Sequence, residues 1–266
     1  MEQPQLTPEA PPEAPLAPAM SLGGRLLNVL ATPGDVFEEV KAAPEATANW
    51  LVPALILIVV SWAAAAVIFS QPSIKQQLSE ITEQAIQRQI DSAHLSEQQG
   101  DQARAMGEKW AGLSSQIGAA LAPVVAGFVT PFLWGLIVWL LGAQFFKGHF
   151  PYMKAVEVVG LANMVSVLDV IVRTLLIVGL GNLYASPGPV LLVKQFDPQN
   201  TVHSVLGALN VMTLWLLAVR AIGLARLSGA SFAKAAVWVF GIWAAYTSFF
   251  IGIGALVQAG VKQITG

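Results

Sequence analysis

Apolar positions along this chain gather into five long runs, and polar positions fill the gaps between them. The runs cover approximately residues 50–69, 117–141, 158–180, 204–224 and 235–257. A hydrocarbon core of ~30 Å needs ~20 mostly apolar residues in a helix, so each run predicts a membrane span. The strands of a membrane barrel are ~10 residues long with alternating polarity, and these runs are longer and unbroken. The predicted fold class is therefore all-α: a polytopic integral membrane protein with five transmembrane helices. Trp50, Trp110, Tyr152 and Tyr184 fall near predicted span ends or in flanking loops, the depth that amphipathic rings favour. Pro53, Pro123 and Pro131 lie inside spans, where neighbouring helices can satisfy the freed backbone groups.

The polar stretches divide the rest. Residues 1–20 are rich in proline and glutamate and predict a disordered tail, because they cannot bury enough apolar surface to offset their ordering entropy. They lack the basic start of a signal peptide, and about fifty residues precede the first run. Residues 21–49 predict amphipathic interfacial helices. Leu22, Leu26, Leu27 and Leu30 recur at helical spacing, Thr32-Pro33 reads as an N-cap followed by proline at the first helical position, and Val36, Phe37 and Val40 form the next stripe. Too short to span, these helices are expected to lie on the membrane surface, the alternative being that they pack on other helices. Residues 50–258 form the membrane domain and 259–266 a short tail.

Between the first two spans lies a polar insertion, residues 70–116. Ser73 with Gln76 and Ser96 with Gln99 match capping boxes. Ile74, Leu78, Ile81 and Ala85 form one stripe, continued one position out of phase by Ile86, Ile90 and Ala93, and Gly100 is the weak point of the second helix. The expectation is a helical hairpin or one bent helix outside the bilayer. Six acids (Glu80, Glu83, Asp91, Glu97, Asp101, Glu108) and four bases (Lys75, Arg88, Arg104, Lys109) suit either a solvated spacer or a docking surface.

Composition narrows the function. Of 266 residues, 55% are hydrophobic and 11% charged, with a mean hydropathy of +0.62; a soluble domain carries roughly 25% charged residues. The lipid bilayer is thus the first partner, with other membrane proteins as candidate second ones. A net charge of −2 argues against nucleic acid. Cysteine is absent, and His94, His149 and His203 stand far apart without metal-ligand spacing, so no metal and no cofactor are expected. No serine sits in a Gly-x-Ser-x-Gly setting, and Gly179-Leu180-Gly181 lacks the strand a phosphate loop needs. No catalytic residue is assigned, and the expectation is that the protein is not an enzyme.

Five spans put the termini on opposite sides. Lys147, Lys154, Arg226 and Lys234, with Arg220 close by, fall on the N-terminal side; the short segments of the other side hold Lys194 and Lys262. The positive-inside rule then predicts a cytoplasmic N-terminus and an outside C-terminus. Gly148 to Ala155 and Gly229 to Ala235 echo one another, each reading glycine, aromatic, then Lys-Ala opening the next helix. Asp169 and Arg173 are the charged pair well inside a span. Spaced i, i+4 with the acid first, they share a helix face, and ionisable groups at such depth are functional candidates. They read either as a structural ion pair or as the working part of a small-solute or ion transporter or channel. Asn163, Asn182 and Asn210 are candidates to extend a polar track.

These features resemble the Yip family, the Ypt/Rab-interacting membrane proteins, in its prokaryotic branch. Ala31-Thr32-Pro33-Gly34-Asp35-Val36-Phe37 before the first span carries the resemblance. So does the stretch from Gly142 through Phe145-Phe146-Lys147 to Lys154 with Val158-Val159-Gly160 after it, and the Gly229–Ala235 turn. It covers roughly residues 25–258. The resemblance implies five membrane helices, a cytoplasmic N-terminus, membrane-trafficking or membrane-organising partners, and, for the prokaryotic branch, a bacterial cytoplasmic (inner) membrane; the expected role is non-enzymatic, organising membrane or recruiting protein partners. Eukaryotic members carry an Asp-Leu-Tyr-Gly-Pro element before the first span; here the region reads Ala46-Thr47-Ala48-Asn49-Trp50, which leaves GTPase binding doubtful. The long insertion is a second departure.

Overall fold

The computed structural model describes residues 20–92 and 96–265; the tail expected over residues 1–20, apart from Met20, lies outside them, as do Ala93 of the predicted stripe, His94 and the last residue. Among the described residues all regular structure is helical. In chain order the helices are α1 (Leu22–Ala31), α2 (Pro33–Ala42), α3 (Ala48–Ser70), α4 (Pro72–Ser92), α5 (Glu97–Leu140), α6 (Tyr152–Ala162), α7 (Met164–Leu180), α8 (Thr201–Ala208), α9 (Val211–Ser228) and α10 (Phe232–Thr265). A π turn, Leu141–Phe145, prolongs α5, and a 3-10 turn, Pro189–Leu192, precedes α8. Five stretches are long and apolar enough to cross a membrane: α3, α5 with its π turn, α6 joined to α7, α9, and α10 as far as Leu256.

Two spans differ from expectation. The third begins earlier, at Tyr152, and is interrupted at Asn163. The fourth is divided: the run 204–224 becomes α8 and α9, parted at Leu209–Asn210. Asn210 causes the division, because its side chain accepts from the backbone N–H of Met212 and caps a new helix.

The core forms where α3 packs on α5, α6 and α7, and α9 on α2, α6 and α7. Glycines allow the closest crossings: a Cβ on Gly160 would collide with Trp50, and one on Gly223 with Val158. Small residues let helix backbones approach in this way. Val36, Phe37 and Val40 of α2 are fully buried in the same core, so α2 packs on the bundle as well as lying beside it. α10 is peripheral. Only 6% of its apolar window is buried in the protein, against 44% for α9.

The insertion is a hairpin of α4 and the first part of α5, which continues without a break into the second span. At 44 residues, α5 is about 66 Å long. Gly100, the expected weak point, faces Ile90, and a Cβ on Gly107 would lie 2.7 Å from Ile86, so both glycines serve the packing of the two arms. Arg104 donates to Gln87 across the hairpin at 2.8 Å. The Ser96–Gln99 capping box forms. The Ser73–Gln76 box does not: α4 begins at Pro72, leaving Ser73 inside the helix, and proline suits the first helical position because its missing N–H is an orphan there anyway. The base of the hairpin is docked. The Gln77 side chain donates to the Gly181 carbonyl and accepts from the Leu183 N–H, while Ile74 is buried against Ile177 and Ala185.

Candidate functional site

Side-chain chemistry concentrates in two layers of the bundle. The first joins α1, α2, the 43–47 connection, α3 and α6. Arg25 donates to Glu39 at 2.7 Å and to Asn49 Oδ1 at 3.3 Å. Asn49 in turn donates to Glu157 Oε2 at 2.6 Å, and the Ala46 N–H to Glu157 Oε1 at 3.1 Å. Lys154 lies 3.3 Å from the same Oε1 and donates to the Pro44 carbonyl at 3.0 Å. The side chains of Lys154 and Glu157 are 7% and 1% exposed. Burying a charge is unfavourable unless it is paired and hydrogen-bonded, and here both carboxylate oxygens and the ammonium have partners. The network fastens the two amphipathic helices to the bundle through residues more than 100 positions away.

Beside it, Arg220 of α9 is buried in the protein. Its Nη2 donates to Asn163 at 3.1 Å, and its guanidinium lies 4.5 Å from the Trp134 ring centre, a cation–π arrangement. Its Nε and the Trp50 Nε1 are buried without a hydrogen-bond partner among the described residues. Arg220 and Lys154, counted in the sequence as bases of the N-terminal side, are therefore interior groups at 3% and 5% exposure.

The second layer contains the expected pair. Arg173 Nη2 lies 3.3 Å from Asp169 Oδ2, and the Asn210 amide donates to Asp169 Oδ1 at 2.9 Å. Asn163 and Asn210 thus mark the interruptions of two spans and each binds the facing helix. Asn182 stays local, accepting from Tyr184 N–H. Unlike the first pair, Arg173 is 46% exposed. In the adjoining loop, Tyr184 stacks on Phe196 and Phe196 on His203. Burial, and then the Asp197 carboxylate, push the Tyr184 phenol above its usual range. Among the described residues no group of three His, Asp or Glu side chains could hold a metal.

The sequence did not single out Lys154 and Glu157. The i, i+3 spacing of a lysine and a glutamate just after Pro151 is also what a solvated first turn shows. The Thr32–Phe37 segment has a clearer structural role. Gly34 lies under the Arg226 guanidinium, which donates to Glu38 at 3.0 Å, and Lys41 caps the end of α9 by donating to the Arg226 carbonyl at 2.8 Å. Between α2 and the α9–α10 turn these residues leave an open cavity of about 630 Å³. Gly148, which opens the first of the echoing segments, packs against Ser228 at the end of α9.

Five apolar helices around this core define an all-α polytopic integral membrane protein. A family model, the Yip1 domain, matches residues 27–254, and the chain belongs to that family. The match spans α1 to α10, including the α2 segment that packs on α9. No curated protein and no solved structure matches the chain.

Proposed function

We propose that the protein is a non-enzymatic membrane organiser that recruits protein partners through the face formed by α1, α2 and the α9–α10 turn. The observation that carries this reading is the way α2 is held. Its apolar side is fully buried, its neighbour α1 is tied by the Arg25–Glu39 pair, and the whole rests on the Asn49–Glu157–Lys154 network. A rigid platform results, with exposed Asp35 and Lys41 and a half-exposed Glu38 beside the 630 Å³ cavity. Rigid polar surfaces of this kind suit recognition because little is lost to ordering on binding. On this reading the face lies in the cytoplasm of a bacterial cell, with the C-terminus outside, and the exposed bases Lys147, Arg226 and Lys234 on that side support it. The insertion reads as a separable outside element.

Photocrosslinkers at Asp35 and, as a lipid-facing control, at Val237 test the platform in intact membranes. Discrete protein adducts are expected from the first position and lipid adducts from the second; absence of protein adducts at Asp35 sinks the reading. Cysteines at Ala17 and Thr265, probed with an impermeant thiol reagent in intact cells, test the topology. Labelling confined to Ala17 would reverse it.

A further inference from the structure

A cleft separates α8 from α10 and leads to the Asp169–Arg173 layer. Its inner part, about 320 Å³, is lined by Arg173, Asn210, Thr213 and Thr247; its outer part, about 270 Å³, by Gln199, Thr201 and Gly254. Ser204, Phe250 and Ile251 line both, so the two parts are continuous. Arg173 is the single charged residue on the lining of either part. Its one side-chain partner among the described residues is Asp169, reached through Nη2 alone at 3.3 Å. Asp169 divides its charge with Asn210. A guanidinium carries five N–H donors, so most of this one's hydrogen-bonding capacity is unused among the described residues, on a side chain that lines the cleft and is 46% exposed.

The flanks of the cleft say what can enter. Val202 and Val205 on α8, and Phe249 and Phe250 on α10, are exposed, on elements packed along apolar spans. Such edges meet acyl chains. A ligand that arrives through them is a lipid, and one that satisfies Arg173 carries an anionic oxygen group. The Thr213 and Thr247 hydroxyls around Arg173 complement the remaining phosphate and glycerol oxygens, and the Phe250–Ile251–Gly254 wall complements a chain.

We propose that this cleft holds one phospholipid, with its phosphate against Arg173 and an acyl chain along α10. Arg is suited to this task because its fork binds phosphate oxygens in pairs.

The test uses the full chain in mild detergent, stripped of lipid and titrated with dioleoylphosphatidylglycerol while native mass spectrometry counts bound molecules. One lipid per chain is expected to bind most tightly. Arg173→Gln should weaken that step roughly 10- to 100-fold, the loss of one charged hydrogen-bonding partner, and Arg173→Lys, which keeps the charge, should retain more of it. Ser204→Trp fills the junction while leaving residue 173 an arginine and should also lose the lipid; Val237→Trp, on a lipid-facing surface elsewhere on α10, should not. Circular dichroism melts confirm that the variants compared are folded. Unchanged affinity in folded Arg173→Gln, or in folded Ser204→Trp, overturns the assignment. Displacement of the lipid by excess inorganic phosphate does so as well, since it marks a site for a free aqueous anion.

Discussion

Lys154–Glu157 and Arg173–Asp169 are the same interaction in two settings. Both pairs lie on the third span, both join residues one helical turn apart, and both are separated by 3.3 Å. Yet the first is almost wholly enclosed, with each charged group also bonded to the 43–49 segment, while the second leaves Arg173 nearly half exposed beside a cleft. The contrast teaches that separation and spacing do not tell what a charge pair does. A pair that is enclosed and has further partners for both charged groups within the protein is structural. A pair with donors left over is equipped to bind something else.

The largest effect is expected at Glu157. Glu157→Ala leaves the Lys154 ammonium buried without its carboxylate and frees Asn49 and the Ala46 N–H together. Breaking a buried pair on one side costs about 3–5 kcal/mol, read as a large fall in Tm in detergent and release of α1–α2 to proteolysis. A fall no greater than that of Asp169→Asn would erase the contrast. Next comes Asn163→Ala, which removes the hydrogen-bond acceptor of the buried Arg220 and should cost about 1–3 kcal/mol. Smallest is the second layer. Asp169→Asn and Arg173→Gln are each expected to lower the Tm by less than either change in the enclosed layer, because Arg173 is 46% exposed rather than locked in packing, and the double variant should recover part of the loss. Singles that sum in the double would show that the two groups act independently.

The spans and the hairpin were legible because their signals are local. Twenty apolar residues announce a membrane helix, and Ser96 three residues before Gln99 announces a helix start. Asp169 and Arg173 were found for the same reason: two charges inside an apolar run stand out. Glu157 did not, because it lies at the edge of its run and its partners are Asn49 and Ala46, which say nothing until the chain is folded. Arg220 was misjudged by the same rule, as its position eight residues before the end of α9 resembles that of a loop base. The interruptions at Asn163 and Asn210 were missed because an asparagine in an apolar run is compatible with an unbroken helix; what decides is the acceptor or donor waiting on the facing span.

The Asn49–Glu157 bond has a consequence for how the chain is made. The two residues are 108 positions apart, so at ~5–20 residues per second of synthesis, Asn49 is made on the order of ten seconds before its partner. During that interval the first span and both amphipathic helices are complete while the carboxylate that fastens them has yet to be translated. The fastening of the N-terminal helices therefore waits for the third span, and until then they are open to whatever handles the nascent chain.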